Sequence, residues 1–267
     1  MIALFDSGYG GVTVLKPIMK LLPQYDYLYL GDNARAPYGN HSNENIIRFT
    51  ETAVRHLFEQ GVKLIIFACN TASSVALRHC QEKFIVSPGL NKKNILGVLI
   101  PVAEKAAQEK GSIAVIGTKA TINSDAYQKE IHKINPQLNV FQYATPLLVP
   151  LIEEGWHNKP ETNMILKKYL RPIKSKQVKT LILGCTHYPI IKDKIQRYMG
   201  KKVKILTSGN IVAQRLKDYL QRHPEIEQGL SKSSQRSYHT TDDPLRFQQF
   251  VHQNLGFKIP MPKKVQL

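Results

Sequence analysis

Eight short apolar runs, each leading into a segment with helix-like spacing, constrain the fold of this chain more than any other feature. They are IALFD, YDYLYLGD, VKLIIFAC, ILGVLI, SIAVIGT, LNVFQYAT, TLILGC and VKILTSG. Runs of this length, rich in Val, Ile and Leu on both faces, suit strands covered on both sides, and their alternation with helices suits βαβ units. The expected class is α/β. A chain of 267 residues has room for one large domain or two ordinary ones, and 42% hydrophobic residues is enough to build a core.

Two of the runs end alike. In LIIFACNTAS and TLILGCTHYP an apolar strand closes on a small residue and a cysteine, Cys69 or Cys185, with Thr within two positions. Each thiol thus falls at the C-terminal end of a strand, where open α/β sheets present their ligands. More than a hundred residues separate the two, so a doubled architecture is the economical reading: two similar lobes with mainly parallel sheets and a site in the cleft between them. Residues 1–98 and 210–267 are expected to form the first lobe and 99–209 the second. The stretch GVLIPVAEKAAQEKGS would carry the chain across, its proline marking a helix start, and TSGNIV would carry it back. The tail FKIPMPKKVQL, short, basic and proline-containing, is expected to be loosely held at its end.

The net charge of +17 would suit a nucleic acid or merely an acidic substrate. Lys and Arg run along most of the chain, densest from Lys192 to Arg222, without basic-aromatic interleaving or a recognition-helix motif. They read as a solvated surface, and nucleic-acid binding is not expected to be the main function. MIALFDSGYGG lacks the basic and apolar regions of a signal peptide, and no run of about 18 apolar residues appears, so a cytoplasmic protein with no membrane partner is expected. The three cysteines, without CxxC spacing, read as reduced thiols.

FDSGYGG, residues 5 to 11, has the form of a strand, a glycine turn and a helix start, an arrangement that often holds an anion. Yet it contains Asp6, which would repel a phosphate at close range and suits a zwitterionic guest better.

A single buried cysteine is more often packing than chemistry, and Cys80, within the helical pattern SSVALRHCQEKF, reads that way. Cys69 and Cys185 share hydroxyl neighbours and a helix start that favours thiolate. A disulfide between them, a metal site with His187, a hydrolase using one Cys with His187 and an Asp, and acid–base chemistry on both faces of one carbon are the alternatives. Only the last gives both halves of the repeat a task. Such thiols need help from nearby carboxylates and an imidazole. Asp6 and Asp32 are candidates on the first side, Glu153 and His187 on the second; capping would be the plain explanation for the two aspartates.

FDSGYGG, GDNARAPYG, ACNTAS, VPLIEEG and GCTHYP, in this order and at these separations, resemble the glutamate racemases of the aspartate/glutamate racemase superfamily. The resemblance spans nearly the whole chain, including TINSDAYQ and YHTTDDPLRF. It implies an isomerase without cofactor or metal that interconverts L- and D-glutamate through two cysteines and supplies D-glutamate for peptidoglycan, with a dimeric homo-oligomer as the expected assembly. Carried over, Cys69 and Cys185 match the acid/base thiols, with Cys69 acting on D-glutamate and Cys185 on L-glutamate. Asp6 and His187 match the assisting groups, Asp32 and Glu153 less closely. Asp6 with Ser7, Tyr38 with Gly39, Asn70 with Thr71, and Thr186 with His187 match the substrate-holding pairs. One departure is TSG at 207–209, where many relatives have an aspartate before the serine.

Overall fold

A computed structural model describes residues 1–85 and 93–267. Two parallel sheets organise it. The first contains β1 (Ile2–Asp6), β2 (Tyr27–Gly31), β3 (Leu64–Phe67) and β4 (Asn94–Gly97) in the spatial order 2-1-3-4. The second contains β5 (Ile113–Gly117), β6 (Val140–Ala144), β7 (Thr180–Gly184) and β8 (Lys204–Leu206) in the order 6-5-7-8, which is the same winding repeated. Every strand pair is parallel. All five residues of β1, β5 and β7 are buried, which is why these segments read as continuous apolar runs rather than alternating ones.

In each sheet the chain leaves the central strand to one side and then returns to the other, so a crevice opens at the C-terminal ends of β1 and β3, and again at those of β5 and β7. Asp6 closes β1, Cys69 follows β3 and Cys185 follows β7, each placed at such a crevice by the winding alone.

Three readings of the sequence need correction. ILGVLI is not one strand: β4 stops at Gly97 and the helix Leu99–Ala107 begins two residues later, with Pro101 tolerated in its first turn. The first sheet also has two further parallel strands beyond β2, β9 (Arg236–Thr240) and β10 (Lys263–Lys264), whose polar residues hid them. The tail is held as well: Val265 N–H donates to the Thr240 carbonyl at 2.9 Å, and Val265 and Leu267 pack against the first sheet's core.

The crossing helix Leu99–Ala107 and the returning helix Ser208–Arg222 pack on each other, and the latter also packs along Val12–Leu21. Val12 and Leu15, Val212 and Leu216, and Leu181 and Leu183 belong to one continuous core that spans both sheets. The TSG departure lies at the start of the returning helix, with Thr207 at its N-cap, and not on the cavity described below. Among the described residues no helix is long and apolar enough to cross a membrane.

Removing residues 261–267 deletes β10 and uncovers the core under Val265 and Leu267. Urea unfolding should show a loss of about 1–3 kcal/mol, the scale of one or two partly buried aliphatic side chains. An unchanged midpoint would mean that the tail contributes nothing to the fold.

Candidate active site

The ends of the two sheets face each other across a small cavity. Cys69 and Cys185 both line it, together with Ser7, Tyr38, Gly39, Asn70, Thr71, Glu153, Thr186 and His187. The space left is about 20 Å³, room for roughly one water. The lobes close on it through hydrogen bonds between opposite walls. Thr13 Oγ1 donates to the Thr186 carbonyl at 2.9 Å, Tyr127 Oη donates to Asn70 Oδ1 at 2.7 Å, and the Thr71 and Thr118 hydroxyls lie 2.9 Å apart.

Asp6 does not line the cavity. Its carboxylate is fully buried beneath the glycine turn, where Oδ2 accepts the N–H groups of Gly8 at 3.2 Å and Gly11 at 2.9 Å. The turn does bind an anion, and the anion is its own side chain. Tyr29 Oη steadies the same turn, donating to the Gly8 carbonyl at 2.8 Å and lying 3.4 Å from Asp6 Oδ2. Thr186 Oγ1 reaches Asp6 Oδ1 from the other lobe at 3.5 Å. Burial raises the Asp6 pKa, opposed by the charge of His187 and the two N–H groups. Asp32, also fully buried, is occupied by Arg35, the Tyr38 hydroxyl and the Thr241 hydroxyl, so it positions Tyr38 and offers nothing to the thiols.

Cys69 is the N-cap of the helix Asn70–Val75, and its sulfur accepts the Ala72 N–H at 3.4 Å with Ser7 Oγ also at 3.4 Å. Burial pushes its thiol up to about 12, the nearby Asp6 charge adds to this, and the bonds from Ser7 and Ala72 oppose it. Burial pushes Cys80 equally to about 12, but Cys80 lies in the helix Leu77–Phe84, among core side chains and off the cavity. Burial therefore does not distinguish a reactive thiol here; neighbours do. All three cysteines are free, so the disulfide alternative is not realised.

On the facing wall Cys185 Sγ lies 3.8 Å from His187 Nδ1, and His187 Nε2 lies 3.0 Å from Glu153 Oε1. The latter is close enough for a charge pair, although the N–H is not well aligned with the oxygen. Burial works against the imidazolium, but Cys185 and Glu153 outweigh it and hold the His187 pKa well above the ordinary histidine value. A thiol, an imidazole and a carboxylate in line can take a proton from one side and return it from the other. Among the described residues no cluster of three or more His, Cys, Asp or Glu side chains is arranged to hold a metal ion.

Close approach makes two glycines necessary. A Cβ on Gly10 would lie 2.5 Å from Thr186 Oγ1 and 2.6 Å from His187 Nδ1, and one on Gly39 would collide with Thr118. Thr118 is one of the wall residues that sequence reasoning missed, with Ala36 and Pro37 beside Tyr38. Thr118 follows β5 as Ser7 follows Asp6 of β1, so matching the two halves strand by strand would have found it. Val149, one turn before Glu153 on the helix Leu148–Glu153, also lines the cavity and was missed.

Comparison with known proteins agrees with this geometry. A family profile described as Asp/Glu/hydantoin racemase matches residues 14–216. A glutamate racemase from Geobacter metallireducens is 39% identical over 260 residues, 97% of this chain and 93% of that protein. Among solved structures, a glutamate racemase from Bacillus anthracis superposes with a TM-score of 0.90 at 33% identity, covering 100% of this chain and 97% of that one. A second, from Francisella tularensis in complex with D-glutamate, gives 0.89 at 34% identity, with 99% and 97% covered.

Glu153→Gln tests the charge pair. Histidine-selective NMR should show the His187 imidazole losing its proton at lower pH in the variant than in the parent chain. Because the folded state holds this proton more tightly, the pair adds stability that is complete below the ordinary histidine pKa of about 6.5 and fades as pH rises through the raised value of His187. The variant should therefore lose more stability at pH 6 than in alkaline buffer. Identical titration of the two proteins would contradict the pairing.

Proposed function

The chain belongs to the Asp/Glu/hydantoin racemase family, and from that premise we propose that it interconverts L- and D-glutamate without a cofactor, using Cys69 and Cys185 as opposed acid and base. The observation that carries the reading is the equivalent placement of the two sulfurs: each follows the third strand of one half of the repeat, and both line a single cavity. The glutamate racemase names of relatives at 36–39% identity, and the D-glutamate complex of a close structural neighbour, support glutamate as the substrate.

One thiolate removes the α-proton, leaving the electron pair on Cα and the adjacent carboxylate, and the opposite thiol delivers a proton to the other face. The thiol and thiolate have then exchanged states. Cys185 is reset by proton exchange through His187 and Glu153, and Cys69 through Ser7. Cys69 serves D-glutamate and Cys185 serves L-glutamate. Asn70, Thr71, Thr186 and Ser7 supply amide and hydroxyl donors for the α-carboxylate end, and Tyr38, Gly39 and Thr118 enclose the side-chain end. The charges of Asp6 beneath the cavity and Glu153 beside it suit the ammonium group of a zwitterion.

A cavity of about 20 Å³ is far smaller than an amino acid, so entry requires the lobes to part, breaking Tyr127–Asn70 and Thr71–Thr118, and to close again around the substrate. Closure also removes water, which strengthens every interaction with the developing negative charge. D-Glutamate formed in this way serves peptidoglycan synthesis in the cytoplasm.

Optical rotation with either enantiomer tests the proposal. Cys69→Ala and Cys185→Ala should each lower racemisation by at least about 10³-fold, the scale of a lost acid–base group, while Cys80→Ala should stay within about twofold of the parent chain. Full turnover in either of the first two would rule out the two-thiol mechanism.

A further inference from the structure

The fold gathers the positive charge of this chain in one place. Residues 159–204 contain thirteen Lys and Arg and only two acidic residues, Glu161 and Asp193. The helices Pro160–Ser175 and Lys192–Met199 pack together and end at the same level, where Lys174 Nζ donates to the Tyr198 carbonyl at 3.2 Å. Lys176 and Lys179 follow the first helix, and Lys201 and Lys202 follow the second. Backbone bonds set the starts of three strands side by side: Lys179 N–H donates to the Ser112 carbonyl and Lys204 N–H to the Lys179 carbonyl, each at 2.9 Å. Lys174, Lys176, Lys179, Lys201, Lys202 and Lys204 are all exposed, and among the described residues only Lys204 has a carboxylate partner, Glu109.

This surface lies at the N-terminal ends of β7 and β8, whereas Cys185 follows the C-terminal end of β7. Five residues of strand, about 16 Å, separate the two, so a partner on the lysines leaves the cleft free. Six clustered cations, five of them without a counter-charge, repel one another at a cost that an anionic partner would relieve.

We propose that this end of the second lobe binds the phosphate backbone of double-stranded nucleic acid, without regard to sequence. Lysines meet phosphates as point charges, whereas base reading relies on Arg, Asn and Gln forks in a groove. A single strand would need exposed rings to stack on. Here Tyr198 and Phe141 lie half-buried beneath Lys174 and Lys176. A membrane surface would need apolar anchors. Of the large apolar side chains exposed on the second lobe, Leu147, Trp156 and Met164 lie toward the C-terminal ends of the strands, and Ile134, which precedes β6, stands singly at the lysine end, too little to anchor a bilayer.

The full-length protein is titrated into a fluorescent 24-bp duplex of mixed sequence, followed by anisotropy from 25 to 200 mM salt. Six phosphate contacts give a log–log slope of about −5. The joint change Lys174→Glu, Lys176→Glu, Lys201→Glu and Lys202→Glu should weaken binding at 50 mM salt by at least about tenfold. The matched set in the first lobe, Lys20→Glu, Lys258→Glu, Lys263→Glu and Lys264→Glu, should weaken it less than about threefold. Both sets should retain parental circular dichroism and parental glutamate turnover. Equal losses in the two sets would overturn the proposal, because net charge and not this surface would then be acting. So would a flat salt dependence, or tighter binding to phosphatidylglycerol vesicles than to the duplex.

Discussion

The buried carboxylate of Asp6 is the interaction on which the cleft depends. A carboxylate removed from water is tolerated only when charge-assisted hydrogen bonds replace its hydration, and here the glycine turn supplies them through Gly8 and Gly11. The turn is thereby fixed in the one shape that sets Ser7 against Cys69 and lets Gly10 pass beneath Thr186 and His187. The same negative charge helps to hold a proton on His187 in the opposite lobe and disfavours thiolate at Cys69. One side chain therefore links the backbone geometry of the first lobe to the protonation of both walls.

The two thiols occupy equivalent places in a doubled fold but not equivalent surroundings. Cys69 has a hydroxyl and a helix N–H beside it, with a carboxylate behind; Cys185 has an imidazole that is itself paired with Glu153. Racemisation is symmetric in free energy, since substrate and product are mirror images, yet the protein approaching them is chiral and cannot present mirror-image groups. In the two-thiol mechanism proposed above, different helpers at matching positions let one polypeptide serve both faces of one carbon. Burial holds Cys69 as a neutral thiol, so in the proposed mechanism its ionisation is coupled to the arrival of the substrate's ammonium group.

Much of this was legible in the residues, for identifiable reasons. Strands buried on both faces leave uninterrupted apolar runs, and β1, β5 and β7 announced themselves in this way. The pairing of Cys69 with Cys185 was legible because the third strand of each half ends in the same small-residue, cysteine, threonine pattern. What escaped was set by tertiary context. In β9 only Tyr238 and Thr240 are buried, and β10 is two exposed lysines held by backbone pairing, so neither carries an apolar signature. Thr118 carried no mark beyond its place in the repeat, and the direction in which Asp6 points follows from N–H groups that no side-chain pattern records.

The clearest test of the paired thiols is the fate of the α-proton when L-glutamate is converted in D₂O and both enantiomers are recovered before equilibrium. With Cys185 removing the proton on one face and Cys69 delivering a solvent-derived one on the other, the D-glutamate formed should carry deuterium while the remaining L-glutamate keeps its proton. Deuterium entering the recovered L-glutamate as fast as the product would show a single group serving both faces, and would contradict the assignment of opposed roles to Cys69 and Cys185.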